Sequence, residues 1–351
     1  MCNENSKESA TIKVPANLDK IEDVETLTKE VAKTLIDFYK RSLALSYNQV
    51  PGSMTTPAPA IVFPLPRGKG KNEVRVSEQE ARAVFSLQCN KERIPFSYET
   101  PTGSKHRFSA FRVDEDANNK SYSIDFIPAY RVLLENGDLN PDYKKINTRS
   151  GQFDLYLHNI QHLVDQKPGE KRATPDDMDW VIEFKAGSKD GKTGIEAIYK
   201  DFEKMLFSKK PCVFFHIVEV DSPESGKASS SNKKIKHKIS ETIVKQYKES
   251  FLLVNEKRKT INSELKSIQT VLKTRTLSDS LREKIEKSRI SLIEYEERFS
   301  ILPEDISWLL CIVELHKPKD NGAAGGEYFF TELKISNSLT ASKDFNALVW
   351  E

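Results

Sequence analysis

Cysteine is scarce in this chain of 351 residues, and its four copies lie far apart. They occupy Cys2, Cys89, Cys212 and Cys311, and no two of them form a C-x-x-C pair. A zinc ribbon needs such pairs, and a small disulfide-stabilised domain needs a denser set, so the sequence predicts neither. Sparse cysteine is typical of the reducing cytosol, and we therefore expect a cytoplasmic protein.

Long apolar runs are also missing. No segment reaches the about 18 consecutive apolar residues that a membrane-spanning helix requires, so the sequence predicts no membrane partner. Residues 1–13 are polar and lack the apolar core of a signal peptide. The chain also lacks the pattern G-x-x-x-x-G-K-[ST] of a nucleotide-binding P-loop, so we expect any nucleotide-driven motor to be a separate protein.

Charge is nearly balanced over the whole chain but not along it. The net charge is +2, yet residues 227–275 contain 13 Lys and Arg residues against 4 Glu residues and no Asp. The densest part of this segment is the sequence KKIKHK at residues 233–238. Such a basic region is either an electrostatic footprint for the phosphates of nucleic acid or the solvated face of a helix.

The first 72 residues are expected to form an N-terminal arm. Apolar residues recur at helical spacing from Ile21 to about Leu45, which indicates an amphipathic helix. Five prolines between Pro51 and Pro66 then exclude a regular helix, so we expect an extended chain up to residue 71. This arm either wraps around the main domain or mediates association.

A helix with an acidic first turn is predicted next. Ser77 and Glu80 have the spacing of a capping box, so the helix should begin there and continue to about Leu87. The capping role gives Glu80 a structural task. Glu78 has no such task, and it falls on the face of the helix that packs inward.

A series of alternating and apolar segments then predicts a sheet. In chain order we expect strands at 95–100, 108–113, 122–128 and 151–157, the central strand at 180–187, a helix at 195–207 and a strand at 212–218. The last of these strands is apolar throughout, which is typical of an interior strand with both faces covered. Its His216 is therefore expected to be a core residue.

A helical hairpin is predicted after this strand. Residues 222–232 form a polar, Ser-rich link, and two long helical patterns follow at 239–273 and 281–299. Ser280 and Glu283 have the spacing of a second capping box. The apolar stripe of the hairpin suits packing within the chain, or a contact with a second copy of the chain.

Two more apolar strands follow the hairpin, at 308–315 and 328–335. The first has the same pattern as the interior strand 212–218, so the hairpin is expected to be inserted between two strands of one core.

The central strand carries two charged residues. Its sequence is WVIEFKAG at residues 180–187, and a period of two places Glu183 and Lys185 on the same face. Buried charges are costly unless something pairs with them. Asp154 is an acid within a second apolar strand, and carboxylates on two neighbouring strands supply the oxygen ligands that Mg²⁺ requires.

Other residues compete for these roles. Asp125 is also an acid in an alternating strand and is the alternative to Asp154. His158 and His162 are four residues apart, which suits a metal pair on a helix, but no third ligand is evident nearby.

The order of the elements and the D…E-x-K pattern of Asp154, Glu183 and Lys185 resemble the PD-(D/E)xK, or restriction-endonuclease-like, nuclease superfamily. The resemblance covers residues 74–220. It implies an α/β fold with an α-β-β-β-α-β core, in which helices flank a mixed sheet. Two features depart from the pattern: Phe153 stands where the motif has Pro, and 28 residues separate Asp154 from Glu183.

The resemblance also implies roles for individual residues. Asp154, Glu183 and Glu78 would bind Mg²⁺, for which Mn²⁺ can substitute. Lys185 would position or activate the attacking water. Glu80 is the substitute for Glu78, so the candidate catalytic set is Asp154, Glu183, Lys185, Glu78 and Glu80.

The function that the resemblance implies is a metal-dependent nuclease that hydrolyses phosphodiester bonds in DNA, in a restriction or anti-phage setting. Two alternatives stay open. The first is a catalytically inactive module on the same fold, which binds nucleic acid or a partner protein through the basic hairpin. The second is a scaffold in which Glu183 and Lys185 form a salt bridge. A homodimer, through the hairpin or the arm, fits any of the three.

These expectations divide the chain into four parts. Residues 1–72 form the helical and Pro-rich arm, and residues 73–221 form the nuclease-like core. Residues 222–303 form the link and the inserted hairpin, and residues 304–351 supply the strands that complete the core.

Overall fold

The structure is a computed structural model of the chain. It describes residues 21–46, 61–63, 76–99, 111–116, 121–144, 151–158, 178–187, 191–208, 210–221, 238–300, 306–317, 325–335 and 349–350. The described helices are α1 (Ile21–Ser46), α2 (Glu78–Glu92), α3 (Gly191–Ser208), α4 (Lys238–Thr274) and α5 (Asp279–Ser300). The described strands are β1 (Phe96–Tyr98), β2 (Phe111–Glu115), β3 (Tyr122–Phe126), β4 (Leu155–His158), β5 (Met178–Ala186), β6 (Cys212–Asp221), β7 (Ile306–Lys317), β8 (Gly325–Ile335) and β9 (Val349–Trp350).

A mixed sheet lies at the centre of the described residues. Its strand order is β1-β4-β5-β6-β7-β8-β9, and the last of these seven strands is only two residues long. Strands β5, β6 and β7 run parallel to one another, and the other neighbours are antiparallel. Strands β6 and β7 contain long apolar runs, because helices cover both of their faces. The predicted α/β fold, with helices flanking a mixed sheet, is confirmed.

Each face of the sheet has its own apolar core. Helices α1 and α2 cover one face, where Ile182 and Phe184 of β5 are buried. Helices α3, α4 and α5 cover the other face, where Val181 of β5 is buried. The period of two in β5 therefore separates the side chains as predicted, and Glu183 and Lys185 share the α3 side with Val181.

Helix α1 is part of the core and packs against β7 and β8. Gly326 of β8 makes this close approach possible, since a Cβ atom there would lie 2.8 Å from Cγ1 of Ile36. Strand β8 begins at Gly325, three residues before the predicted strand. The need for close packing against α1 explains why glycine occupies a strand position that normally disfavours it.

The inserted hairpin packs on helix α3 and the sheet. Val254, Ile261 and Ile268 of α4 are buried in the same cluster as Phe202 of α3. The apolar stripe predicted for the hairpin thus serves packing within the chain. Leu252 points elsewhere and is 55% exposed.

Two predicted helix starts are wrong. Helix α3 begins at Gly191 rather than at residue 195, because packing of its buried face outweighs the low helix propensity of its glycines. Helix α5 begins at Asp279, so Ser280 lies inside the first turn and is not the cap. Glu283 pairs with Lys287, at 2.6 Å, instead of completing a capping box.

The cap of helix α2 also differs from the prediction. The hydroxyl of Ser77 donates to the carboxylate of Glu80, and it caps no backbone N–H group. The helix continues to Glu92, five residues beyond the expected end, and Arg93 ends it in the left-handed conformation with φ +59°.

Strands β2 and β3 form a separate two-stranded sheet. They pack against α3 and α4, outside the central sheet. None of the described helices combines the length and the apolarity that crossing a bilayer requires.

Candidate functional site

Four charged side chains from β5 and α3 form a buried network that we call the acid–lysine cluster: Glu183, Lys185, Asp201 and Lys204. Strand β5 supplies the first two, and α3 crosses back over the same face of the sheet. Asp201 and Lys204 are three residues apart on α3, so both point at β5. Lys185 forms an ion pair with Asp201.

Lys204 of α3 forms ion pairs with acids of both β5 and α3. Its Nζ lies 2.6 Å from Oε1 of Glu183 and 3.1 Å from Oδ1 of Asp201. It also donates to the carbonyl oxygen of Gln152, at 2.9 Å. Glu183 is 1% exposed, so this network compensates a carboxylate that has lost its hydration.

Asp154 lies immediately before β4 and reaches the same end of β5. Its Oδ2 accepts the backbone N–H of Phe184, at 2.9 Å, and its Oδ1 contacts Nη2 of Arg82, at 2.7 Å. Arg82 belongs to α2 and also contacts Glu99, at 3.3 Å. Both oxygens of the Asp154 carboxylate are therefore held by the protein.

Glu78 is the helix acid that approaches the cluster. Burial raises its pKa, and the nearby charges of Lys185, Asp154 and Asp201 also affect it. The backbone N–H of Ala186, at the end of β5, acts in the opposite direction to burial and lowers this pKa. Glu80 instead faces Ser77, so the structure distinguishes the two acids that the sequence left as alternatives.

Burial and neighbouring charges oppose each other in the cluster, and which of them prevails differs from group to group. Loss of water raises the pKa of Glu183 to about 8, although the ammonium of Lys204 opposes this effect. Burial alone would lower the pKa of Lys185, but the carboxylates of Asp201 and Glu183 outweigh it and raise that pKa. The pKa of Asp201 is lowered, because Lys204 and Lys185 outweigh its own burial.

The other predicted candidates lie elsewhere. Asp125 is on the β2–β3 sheet, where it faces Arg112 at 3.9 Å and Arg131 at 3.6 Å, so it does not replace Asp154. His158 is buried and bonds Ser97 at 2.8 Å, and His162 lies outside the described residues. His216 is a core residue as expected, and burial lowers its pKa to about 4.

The cluster has the donor chemistry of a metal site but not its arrangement. Carboxylate oxygens suit Mg²⁺. Among the residues that the structure describes, however, no three His, Cys, Asp or Glu side chains converge in a way that could hold a metal ion. The carboxylates face protein cations instead, since Lys204 contacts Glu183 and Arg82 contacts Asp154. As arranged here, the predicted ligands Asp154, Glu183 and Glu78 do not form a ready metal site.

Sequence reasoning missed Arg82, Asp201 and Lys204. Helix α3 was expected to cover the sheet, but only its apolar positions were used. A charged pair three residues apart on a helix that packs over an E-x-K strand was the available signal.

Part of the basic surplus of residues 227–275 is neutralised in the structure. Lys257 is buried against Glu203, Arg258 pairs with Glu296 at 2.9 Å, and Arg275 contacts Asp138 at 3.4 Å. The lysine-rich sequence at 233–237 lies outside the described residues. Exposed lysines remain on α4 at Lys259, Lys266 and Lys273, seven residues apart.

The connection between β5 and α3 nearly matches a P-loop. Residues 186–193 read AGSKDGKT, which differs from G-x-x-x-x-G-K-[ST] only in having Ala186 at the first position. A strand precedes it and a helix begins at Gly191, as in that motif. The expectation that nucleotide binding belongs to a separate protein therefore depends on one residue. Against a P-loop, β5 has an antiparallel neighbour, β4, and carries the buried carboxylate of Glu183.

Comparison of the chain with protein-family models, with curated proteins and with solved structures finds no significant match. The residues of the chain and their geometry are therefore the basis on which its function is inferred.

Proposed function

We propose that this protein is a Mg²⁺-dependent nuclease that hydrolyses phosphodiester bonds in DNA. The observation that carries the proposal is the gathering of Asp154, Glu183, Lys185 and Glu78 at the end of β5. Three separate elements, separated by up to about a hundred residues of sequence, bring these side chains together. A restriction or anti-phage role is the setting that the family resemblance implies.

The order of elements supports a restriction-endonuclease-like core. Helix α2, strands β1, β4 and β5, helix α3 and strand β6 follow one another as α-β-β-β-α-β when the separate β2–β3 sheet is set aside. In this proposal β5 presents the E-x-K residues, and β4 and α2 supply Asp154 and Glu78. Mg²⁺, or Mn²⁺ in its place, is the proposed cofactor.

Lys185 is the cation of the cluster best placed to meet a phosphate. Its side chain is 21% exposed, whereas that of Lys204 is 7% exposed. A fixed ammonium beside a phosphodiester stabilises the negative charge that develops during hydrolysis. Lys185 is held in position by its ion pair with the buried carboxylate of Asp201.

A second function is favoured by the saturation of the carboxylates. Asp154 contacts Arg82, and Glu183 and Asp201 contact Lys204. Such pairing is what a catalytically inactive member of the same fold would show, with nucleic acid or a partner protein bound elsewhere. In this alternative, nucleic acid would contact the exposed lysines of α4. A partner protein, such as a second copy of the chain, would contact the hairpin.

Cleavage of supercoiled plasmid and of linear single strands, with Mg²⁺, Mn²⁺ or EDTA, tests the proposal. Asp154→Ala and Lys185→Ala should each reduce the metal-dependent cleavage rate by about 100-fold or more. Asp125→Ala is the matched control, because it removes an acid from a strand outside the cluster and should leave the rate unchanged.

Three results would redirect the proposal. Equal cleavage by wild type and Lys185→Ala would mean that a contaminant cuts the DNA. DNA binding without cleavage under any condition would favour the inactive module. Binding of ATP or GTP that Lys192→Ala abolishes would favour a phosphate-binding role for the β5–α3 connection.

A further inference from the structure

The ammonium of Lys204 occupies a position enclosed by three oxygen atoms. These are Oε1 of Glu183 at 2.6 Å, Oδ1 of Asp201 at 3.1 Å and the carbonyl oxygen of Gln152 at 2.9 Å. An ammonium group has three donors, and the carbonyl oxygen of Gln152 accepts a hydrogen bond from one of them. Two carboxylates and one backbone carbonyl therefore surround a buried position that a cation occupies.

The same oxygens are suitable ligands for a divalent ion. Mg²⁺ and Mn²⁺ bind carboxylate and carbonyl oxygens. Oε1 of Glu183 accepts no well-directed hydrogen bond, although Nζ of Lys204 is close to it. The contact between Lys204 and Glu183 therefore depends on charge more than on hydrogen-bond geometry. Another cation can replace the ammonium beside Oε1 of Glu183.

Asp201 divides its two oxygens between two lysines. Oδ1 faces Lys204, and Oδ2 faces Lys185. Withdrawal of Lys204 would expose Oδ1 of Asp201 and Oε1 of Glu183 together, while Lys185 stays paired. Asp154 offers no comparable oxygen, because Arg82 and the backbone of Phe184 hold both of its oxygens.

We propose that Glu183, Asp201 and the carbonyl oxygen of Gln152 form a divalent-cation site, and that Lys204 is a tethered cation which the metal must displace. This inference rests on the proposed function, since it places the metal within the same cluster. It replaces Asp154 and Glu78 by Asp201 as the second carboxylate ligand. In the structure described here, the protein's own ammonium fills this position.

Titration of the full-length chain with Mn²⁺, followed by electron paramagnetic resonance, tests this site. Lys204→Met should bind Mn²⁺ at least about 10-fold more tightly than wild type, because it removes a like charge from the metal position. Lys200→Met is the matched control: it removes an exposed lysine one turn earlier on α3 and should change the affinity less than about 2-fold. Adding Asp201→Asn to Lys204→Met should abolish the gain.

Two results would overturn the proposal: a folded Lys204→Met protein that binds no tighter than wild type, or a gain that survives Asp201→Asn. If Lys204→Met does not fold, amine labelling of the wild type decides. High Mg²⁺ should increase the labelling of Lys204 relative to Lys257, which is buried outside the cluster. Unchanged labelling would overturn the proposal.

Cleavage is scored separately on the same samples. Tighter Mn²⁺ binding by Lys204→Met without any cleavage would support the site and contradict the nuclease. Cleavage that needs Asp154, with no gain in affinity for Lys204→Met, would support the nuclease and overturn this site.

Discussion

Helix α3 carries two buried ionic groups that face in different directions. The acid–lysine cluster lies against β5. The second group, which we call the hairpin anchor, consists of Glu203 of α3, Lys257 of α4 and Tyr295 of α5. Both groups contain buried charges of the same helix. A comparison of the two therefore shows which features a structural ion pair needs and which features suggest a function.

The hairpin anchor is closed and balanced. Glu203 is 0% exposed and Lys257 is 1% exposed, and the hydroxyl of Tyr295 donates to the same carboxylate. The ammonium of Lys257 lies 4.7 Å from the ring centroid of Phe111 and 5.9 Å from that of Tyr199. The buried carboxylate of Glu203 therefore meets a buried ammonium that also lies close to aromatic rings.

The acid–lysine cluster is open and contains more charge. Lys185 keeps contact with solvent, and the cluster extends to Glu78 and Asp154 at the end of β5. The ion pair of Glu203 with Lys257 is sufficient to attach the hairpin to α3. An open group with a carboxylate of raised pKa is the arrangement expected where a ligand binds or chemistry occurs.

The largest effect is expected at the hairpin anchor. Lys257→Met should lower the free energy of unfolding by about 3–5 kcal/mol, because it leaves Glu203 as an uncompensated buried charge. Urea denaturation measures this loss. The double variant Lys257→Met with Glu203→Met should recover much of it, and a double variant no more stable than the single one would contradict the explanation.

The acid–lysine cluster should tolerate the matching change better. Lys204→Met should cost roughly 1–3 kcal/mol, since Lys185 still compensates Asp201 and Glu183 can take up a proton. Equal losses for Lys204→Met and Lys257→Met would remove the distinction between an open and a closed group.

The pH dependence of stability should differ between the two groups. The pKa of Glu183 is about 8 in the folded chain against 4.5 for an ordinary Glu, so the folded state retains this proton longer than the unfolded state. Stability from this group is present below pH 4.5 and is lost as the pH rises from there through about 8, by at most about 5 kcal/mol. Glu183→Gln should flatten this decline.

Denaturation of wild type and Glu183→Gln in parallel measures the effect as a difference. Such a difference cancels the contribution of His216, whose lowered pKa makes stability rise with pH between about 4 and 6.5. If the stability of Glu183→Gln declines with pH as steeply as that of the wild type, then Glu183 is ionised over the whole range from pH 4.5 to about 8.

The smallest effect is expected at Ser77, outside both groups. Its hydroxyl bonds Glu80 and caps no backbone N–H, so Ser77→Ala should cost less than the about 1 kcal/mol of a typical N-cap. Thermal denaturation measures this loss. A loss of 2 kcal/mol or more would show that Ser77 contributes more than this half-buried side-chain contact.

Sequence patterns predicted helices and strands correctly where buried apolar residues recur at a regular spacing. The periodicity of α1 and α4, the continuous apolar run of β6 and the alternation in β5 all gave the right element. The helix starts at Gly191 and Asp279 were missed because cap residues are a weak signal, and packing of the rest of the helix decides where it begins.

The candidate site was predicted only in part. The E-x-K spacing placed Glu183 and Lys185 on one face, and the structure brings Asp154 and Glu78 near them. The spacing of Asp201 and Lys204 on α3 was an available signal, but their partners and the role of Arg82 depend on how α2 and α3 cross the sheet. No residue spacing within one element encodes such a crossing.

The sequence by itself determined which segments are helices and strands, and which side of β5 carries its charges, because both follow from periodicity along the chain. Tertiary structure alone decided which cation meets which carboxylate. Those contacts join residues that are distant in sequence, such as Arg82 with Asp154 and Lys257 with Glu203. Burial then set the pKa of Glu183, since only the folded chain removes water from that carboxylate.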